Sequence, residues 1–259
     1  MKAENISIKY DKNIIIKNQT FELMKNRINI FIGENGCGKS TLFKALSKQL
    51  NPFEGTIKFK NIDIKQIKQK EFAKKVGIMF QENSIPNDIT VKELISYGRF
   101  AHINLFSELK DEDKNIINNS IEICGIKKFE NNYVNELSSG QRQLVWIAML
   151  ISQNSEYMFL DEPTTYLDLK NQFEIMNCIK KINKELNKTI VLILHDINLA
   201  AQYADYIFMM KNDEIKYKGL PLDVLTEDNI KEIFNVNVKI IKTNENILIC
   251  PFNWFHTSF

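Results

Sequence analysis

The sequence predicts an α/β fold: a mostly parallel sheet with covered faces and a block of helices set into it. Three observations lead there. Short, wholly apolar runs alternate with amphipathic helical stretches, as in sheets buried on both sides. One of these runs, Ile28 to Ile32, leads directly into the glycine-rich segment Gly33-Glu34-Asn35-Gly36-Cys37-Gly38-Lys39-Ser40-Thr41 and then a helical stretch, Leu42 to Leu50. From Thr90 to about Ile151 the pattern is helical, which reads as an insertion.

Taken in order, residues 4–10 and 19–25 alternate apolar and polar side chains, as half-buried strands do. Residues 55–60 read as another short strand. Lys65 to Lys75 is basic and polar and reads as a solvated helix or loop. Val76 to Phe80 is a buried strand ending at Gln81. Thr90 followed by Glu93 is a capping box that starts a helix. A second helix starts at Leu109 to Asp113, and a third covers Ser139 to Ile151. Two apolar strands, Tyr157–Leu160 and Thr189–Leu194, flank an amphipathic helix near Lys170–Leu186. Strand-like stretches follow at Tyr206–Met210 and Glu214–Tyr217.

Composition narrows the function classes. The 259 residues are 44% hydrophobic and 25% charged, a globular balance with a real core. The net charge of +2 gives no reason to expect nucleic acid or an acidic membrane surface as partner. Cys37, Cys124, Cys178 and Cys250 are scattered without C-x-x-C spacing, which fits a reducing compartment and argues against disulfides and zinc. Glu4 and the lack of a long apolar stretch near it do not fit a signal peptide. No run approaches the roughly 18 apolar residues that span a bilayer. Work at a membrane would therefore need a partner.

The glycine-rich segment carries the chemistry. Gly33, Gly36 and Gly38 let the backbone curl and turn its N–H groups toward an anion. The following helix aims its positive end at the same place. Lys39 can reach β- and γ-phosphates, and Ser40 can place its hydroxyl on Mg²⁺. The pattern G-x-x-x-x-G-K-[ST] between a strand and a helix implies binding of a nucleoside triphosphate. Residues 157–163 add a buried strand that ends in Asp161 and Glu162. Ligands bind at that edge of open α/β sheets. Asp161 is placed to hold Mg²⁺, and Glu162 to polarise an attacking water. In Leu137-Ser138-Ser139-Gly140-Gln141, Ser138 can cap the next helix, so Ser139 and Gly140 offer N–H groups at a second helix start.

With these motifs in this order, the chain resembles the ATP-binding cassette (ABC) ATPases over residues 1 to about 236. GENGCGKST is similar to their Walker A loop, LSSGQ to their signature motif and MFLDEP to their Walker B strand. Gln81 resembles the Q-loop glutamine, Thr164 to Asp168 the D-loop, His195 the switch histidine, and Tyr10 the aromatic that stacks on adenine. Ser139 stands where the family usually has glycine, and Glu34 replaces a common proline. The resemblance implies a P-loop NTPase core of RecA-like type, an antiparallel β subdomain and a helical subdomain at about 90–151, all within residues 1–239, with residues 240–259 as a tail. It implies ATP and Mg²⁺ as cofactors, and catalytic roles for Glu162, His195 and Gln81. Tyr10, residues 33–41, Ser138, Ser139, Gly140, Gln141 and Asp168 would contact nucleotide; Ser40, Gln81 and Asp161 would contact the metal.

The resemblance also implies partners. Two cassettes pair head to tail, as a homodimer or with a close paralogue, each ATP lying between one Walker A loop and the other LSSGQ. Closure acts on a membrane permease, with an extracytoplasmic binding protein engaged indirectly, at the cytoplasmic face of the membrane and without nucleic acid. Stretches such as TTYLDL, YGRF and GLPLDVLTEDNIKEIFNV resemble importers of iron chelates, haem and cobalamin. The expected activity is ATP hydrolysis coupled to uptake of an iron(III) chelate, with cobalamin, haem or another metal chelate as the alternative. A soluble ABC ATPase acting on nucleic acid or ribosomes is a remote one, and a small-molecule kinase would leave LSSGQ unexplained. Aromatic residues Phe252, Trp254, Phe255 and Phe259 mark the tail, read as a final strand packed on the core or a contact with a partner.

Overall fold

The computed structural model describes residues 1–10, 13–81, 88–103, 108–243 and 247–251, apart from the side chain of Tyr10. The chain divides into two compact units, one of residues 1–65 and 191–259 and one of residues 66–190. The first unit opens with β1 (Lys2–Tyr10), β2 (Asn13–Glu22), β3 (Ile28–Gly33), α1 (Lys39–Leu46), β4 (Glu54–Phe59) and β5 (Ile62–Asp63). The second holds α2 (Gln69–Ala73), β6 (Val76–Met79), α3 (Val91–Ser96), α4 (Asp111–Ile123), α5 (Ser139–Ser152), β7 (Tyr157–Asp161) and α6 (Leu169–Leu186). Strand β8 (Thr189–Ile193) carries the chain back into the first unit. There follow α7 (Ile197–Tyr203), β9 (Tyr206–Lys211), β10 (Glu214–Gly219), α8 (Pro221–Val224), α9 (Glu227–Phe234), β11 (Val238–Lys242) and β12 (Ile247–Pro251).

In the first unit, β2-β1-β4-β5 form an antiparallel sheet. Beside it, β3 pairs in parallel with β9, and β9 antiparallel with β10. All six residues of β3 are buried, which is why it reads as a continuous apolar run rather than an alternation. Phe31 stacks on Phe208 of β9 at 4.5 Å between ring centroids, and Phe21 of β2 meets Phe208 edge-on at 5.4 Å. Such ring pairs add to the area they bury. Asp205 anchors the start of β3 by accepting the Ile28 N–H at 2.8 Å.

Strand β2 is displaced toward the N-terminus from the expected stretch 19–25, ending at Glu22 rather than running on to Lys25. It begins at Asn13, and the left-handed Asn18 (φ 45°) interrupts the two-residue period before the alternating part begins. Helix α7 has no forecast in the sequence. Asp196 caps it by accepting the N–H groups of Asn198 and Leu199 at 2.7 and 3.0 Å. The tail forms two strands where one was expected. The β11–β12 hairpin docks on α7 through Asn198, whose side chain exchanges hydrogen bonds with Ile249 N and O. The aromatic residues 252, 254, 255 and 259 lie outside the described residues.

In the second unit, β6 and β7 pair in parallel, and all five residues of β7 are buried. The expected capping box forms: Glu93 accepts the Thr90 N–H at 2.8 Å, and Thr90 accepts the Glu93 N–H at 3.3 Å. The basic stretch from Lys65 includes α2, which buries Phe72 and so is more than a solvated surface. Gly98 lies so close to α5 that a Cβ there would fall 2.3 Å from Met149 O. Next to it, Arg99 forms a buried ion pair with Asp113 at 2.8 Å and donates to Ser152 O.

Candidate functional site

The phosphate-loop segment lies entirely in the first unit. Each of its three glycines has its own physical reason. A Cβ at Gly33 would fall 2.3 Å from Met210 O, so the approach of β9 excludes any side chain. At Gly38 it would meet Ile15 O at 2.9 Å, and φ is +95°. Gly36 has open space around it but φ of +79°, where L side chains are strained. Lys39 is buried, and its ammonium donates to Gly33 O and Glu34 O, both at 2.8 Å, so the lysine is folded along the loop. Cys37 is buried beneath it; burial pushes its thiol up, and the neighbouring Lys39 charge pulls the other way. Helix α1 starts at Lys39 with no side-chain cap and no acidic residue in its first turn. Ser40 and Asn35 are exposed, and Thr41 is half-buried. Free helix N–H groups, a cation and glycine-permitted curvature together suit a polyphosphate.

The first unit also holds two further expected residues. His195 follows β8, exposed, between buried Leu194 and the α7 cap Asp196. Tyr10 ends β1, and its side chain falls outside the described part of the structure.

In the second unit, β7 delivers Asp161, 8% exposed, to its carboxyl end. Glu162 follows with φ of +50°, a left-handed conformation uncommon for a residue with a side chain. Pro163 normally pushes the preceding residue toward extended backbone, so this turn departs from habit twice. The geometry brings Gln81 to it: Gln81 Nε2 donates to Glu162 Oε2 at 2.8 Å. Thr165 Oγ1 donates to the same oxygen at 3.0 Å, and Thr165 N–H to Glu162 O at 3.2 Å. Gln143 on α5 donates to Pro163 O at 2.7 Å.

The Leu137–Gln141 segment behaves as its residues suggest. Ser138 is the N-cap of α5, accepting the Gln141 N–H at 3.3 Å, while Gln141 Oε1 accepts the Ser138 N–H at 2.9 Å. Ser139 and Gly140 form the first turn. A Cβ on Gly140 would lie 2.5 Å from Asn171 Oδ1 of α6. Asp168, expected to contact nucleotide, is here the N-cap of α6 and holds Asn171 through both its N–H and its side-chain amide at 2.8 and 2.9 Å. Thr165, Gln143 and Asn171 are therefore parts of the site that sequence reasoning gave no role. Thr165 stands within the Thr164–Asp168 motif and Gln143 at the end of Leu137–Gln143, each without a role of its own there, and Asn171 carries no local signal.

The donor chemistry fits the cofactors. In the first unit, backbone N–H groups and Lys39 suit phosphate and the Ser40 hydroxyl is a hard oxygen donor; in the second, taken by itself, the Asp161 carboxylate and the Gln81 amide oxygen are hard donors of the kind Mg²⁺ takes. The strand–phosphate loop–helix of the first unit, with G-x-x-x-x-G-K-[ST] filled, defines a P-loop nucleoside triphosphatase. Residues 16–165 match the family model described as ABC transporter. The iron(3+)-hydroxamate import ATP-binding protein FhuC of Bacillus subtilis (strain 168) is 36% identical, the match covering 96% of this chain and 94% of that protein. The chain belongs to the ABC transporter family, as its ATP-hydrolysing cassette. A structure described as an inward-facing metal-chelate type ABC transporter superposes with a TM-score of 0.83 at 27% identity, over 97% of this chain and 96% of that one. The dimeric, post-hydrolysis ATP-binding cassette MJ0796 bound to ADP and Pi gives 0.73 at 26% identity, over 85% and 98%.

Proposed function

We propose that this chain powers an importer that takes up an iron(III) chelate of the siderophore type through a partner membrane permease. The observation that carries the reading is the 36% identity to an iron(3+)-hydroxamate import ATP-binding protein across nearly the whole of both chains. Among the described residues no helix is long and apolar enough to cross a membrane. In this reading the chain is a peripheral subunit on the cytoplasmic face. Residues 1–239 would form the ATPase domain, with the helical subdomain at about 90–151, and residues 240–259 its tail.

In this reading Lys39 and the N–H groups of residues 33–41 hold the triphosphate, and Tyr10 stacks on the adenine. Ser40, Asp161 and Gln81 hold Mg²⁺, which when bound neutralises phosphate charge. Glu162 takes the proton of the attacking water, a role worth about 10²–10⁴-fold, and His195 contacts the γ-phosphate. Ser138 to Gln141 and Asp168 serve the nucleotide of a second cassette, a homodimer or close paralogue, so each site needs two chains. An extracytoplasmic binding protein would deliver the chelate to the permease.

The test is uptake of radiolabelled ferric hydroxamate by cells with and without the chain, together with a pull-down of the tagged chain from gently solubilised membranes. Loss of uptake on deletion and recovery of a polytopic permease are expected. Unchanged ferric uptake with lost cobalamin or haem uptake would overturn the cargo. Recovery of only soluble partners, ribosomes or nucleic acid would overturn the transporter reading itself.

A further inference from the structure

We infer that Thr165 is a positioning residue for ATP hydrolysis, holding the Glu162 carboxylate at a fixed rotation together with Gln81. This rests on the reading of Glu162 as the group that takes the proton. The argument starts from the carboxylate. Its terminal torsion joins a tetrahedral carbon to a planar group and is broad and weakly set, so a glutamate at a strand end does not aim its oxygens unaided. Here two donors from different parts of the chain converge on one oxygen. Gln81 Nε2 reaches Glu162 Oε2 at 2.8 Å from beyond β6, and Thr165 Oγ1 reaches it at 3.0 Å from three residues ahead. Two donors on a single oxygen fix the plane of the carboxylate as well as its direction.

The backbone supports the same assignment. Glu162 sits at φ +50° immediately before a proline, and such conformations persist only where their surroundings over-determine them. The Thr165 N–H to Glu162 O bond closes the turn at 3.2 Å. Gln143 on α5 ties down Pro163 O at 2.7 Å. The turn's backbone is thus held by the Thr165 N–H and the Gln143 side-chain amide, and the Thr165 hydroxyl is left with one task within it, the carboxylate. Gln81 is exposed and comes from outside the turn; Thr165 moves with the glutamate it holds. The turn therefore carries its own clamp.

The experiment uses the full-length chain with Thr165→Val, Thr165→Ser and Glu162→Gln, read by steady-state ATP hydrolysis, nucleotide binding and thermal unfolding. Valine removes the hydroxyl and keeps the β-branched shape and the Thr165 N–H bond. Thr165→Val is expected to lower kcat about tenfold with KM for ATP changed less than about twofold, the signature of a misaimed group rather than lost binding. Thr165→Ser restores most of the rate because the hydroxyl returns. A parental kcat in Thr165→Val while Glu162→Gln is inactive would overturn this inference alone. Parental hydrolysis in Glu162→Gln would overturn the reading it rests on, and the inference with it. A loss that serine fails to rescue, or that nucleotide affinity and unfolding temperature share in proportion, would make Thr165 a structural residue and also overturn it.

Discussion

The phosphate loop and the turn after β7 are held by different means. The loop is fixed by what the backbone cannot tolerate: a Cβ at Gly33 would fall 2.3 Å from a main-chain oxygen of β9, and Gly36 and Gly38 occupy left-handed φ. Even Lys39 is held by main-chain carbonyls. The β7 turn is fixed by side chains, with Gln81, Thr165 and Gln143 arriving from three places to hold Glu162 and Pro163. A site of the first kind is specified by residue type at fixed spacing. A site of the second kind is specified by whatever the fold happens to bring near.

The sharpest test of the contrast is Glu162→Gln, which should lower hydrolysis by about 10²–10⁴-fold while nucleotide binding stays intact. It should also leave a chain that ATP holds as a dimer, measurable by light scattering; a strictly monomeric variant at saturating ATP would break the shared-site model. Next in size is Gly33→Ala. Its Cβ meets backbone that cannot turn aside, so a loss of about 2–4 kcal/mol in unfolding free energy and of nucleotide binding is expected in denaturation and titration experiments. Gly140→Ala sharpens the comparison, because there the obstacle is a side-chain amide, Asn171 Oδ1. Asn171 can swing away at the cost of its bond to Asp168, so about 1–2 kcal/mol is expected. An equal loss from both alanines would erase the distinction between backbone-fixed and side-chain-fixed glycine. The smallest effect belongs to Ser138→Ala, about 1 kcal/mol of cap energy, visible as a modest fall in the unfolding midpoint.

What could be read from the chain follows the same division. Strands β3, β7 and β8 announce themselves as apolar runs because both faces are buried. The Thr90 and Ser138 caps are local chemistry within four residues. By contrast, the alternation at 19–25 marks only the last four residues of β2, since Asn18 breaks the period before them. Helix α7 spans 7 residues, too few for a helical period to show, and its cap, Asp196, directly follows His195. Asp168 is instructive: motif similarity pointed to nucleotide, whereas the fold uses it to start α6 and hold Asn171 against Gly140. These two uses are compatible, but the second is invisible without the packing of α5 on α6.

The sequence by itself determined the class of chemistry, because a phosphate loop depends on glycine, lysine and serine at set intervals and these interactions are local to a dozen residues. It also determined that a carboxylate pair ends a buried strand. Only the tertiary structure decided that Glu162 Oε2 accepts from both Gln81 and Thr165, that Asn171 bars a side chain from Gly140, and that the tail closes as a hairpin on α7. The physical reason is separation along the chain. Contacts across 81 residues, as between Gln81 and Glu162, or 51, as between Asn198 and Ile249, leave no periodic or spacing signature in the residues that make them.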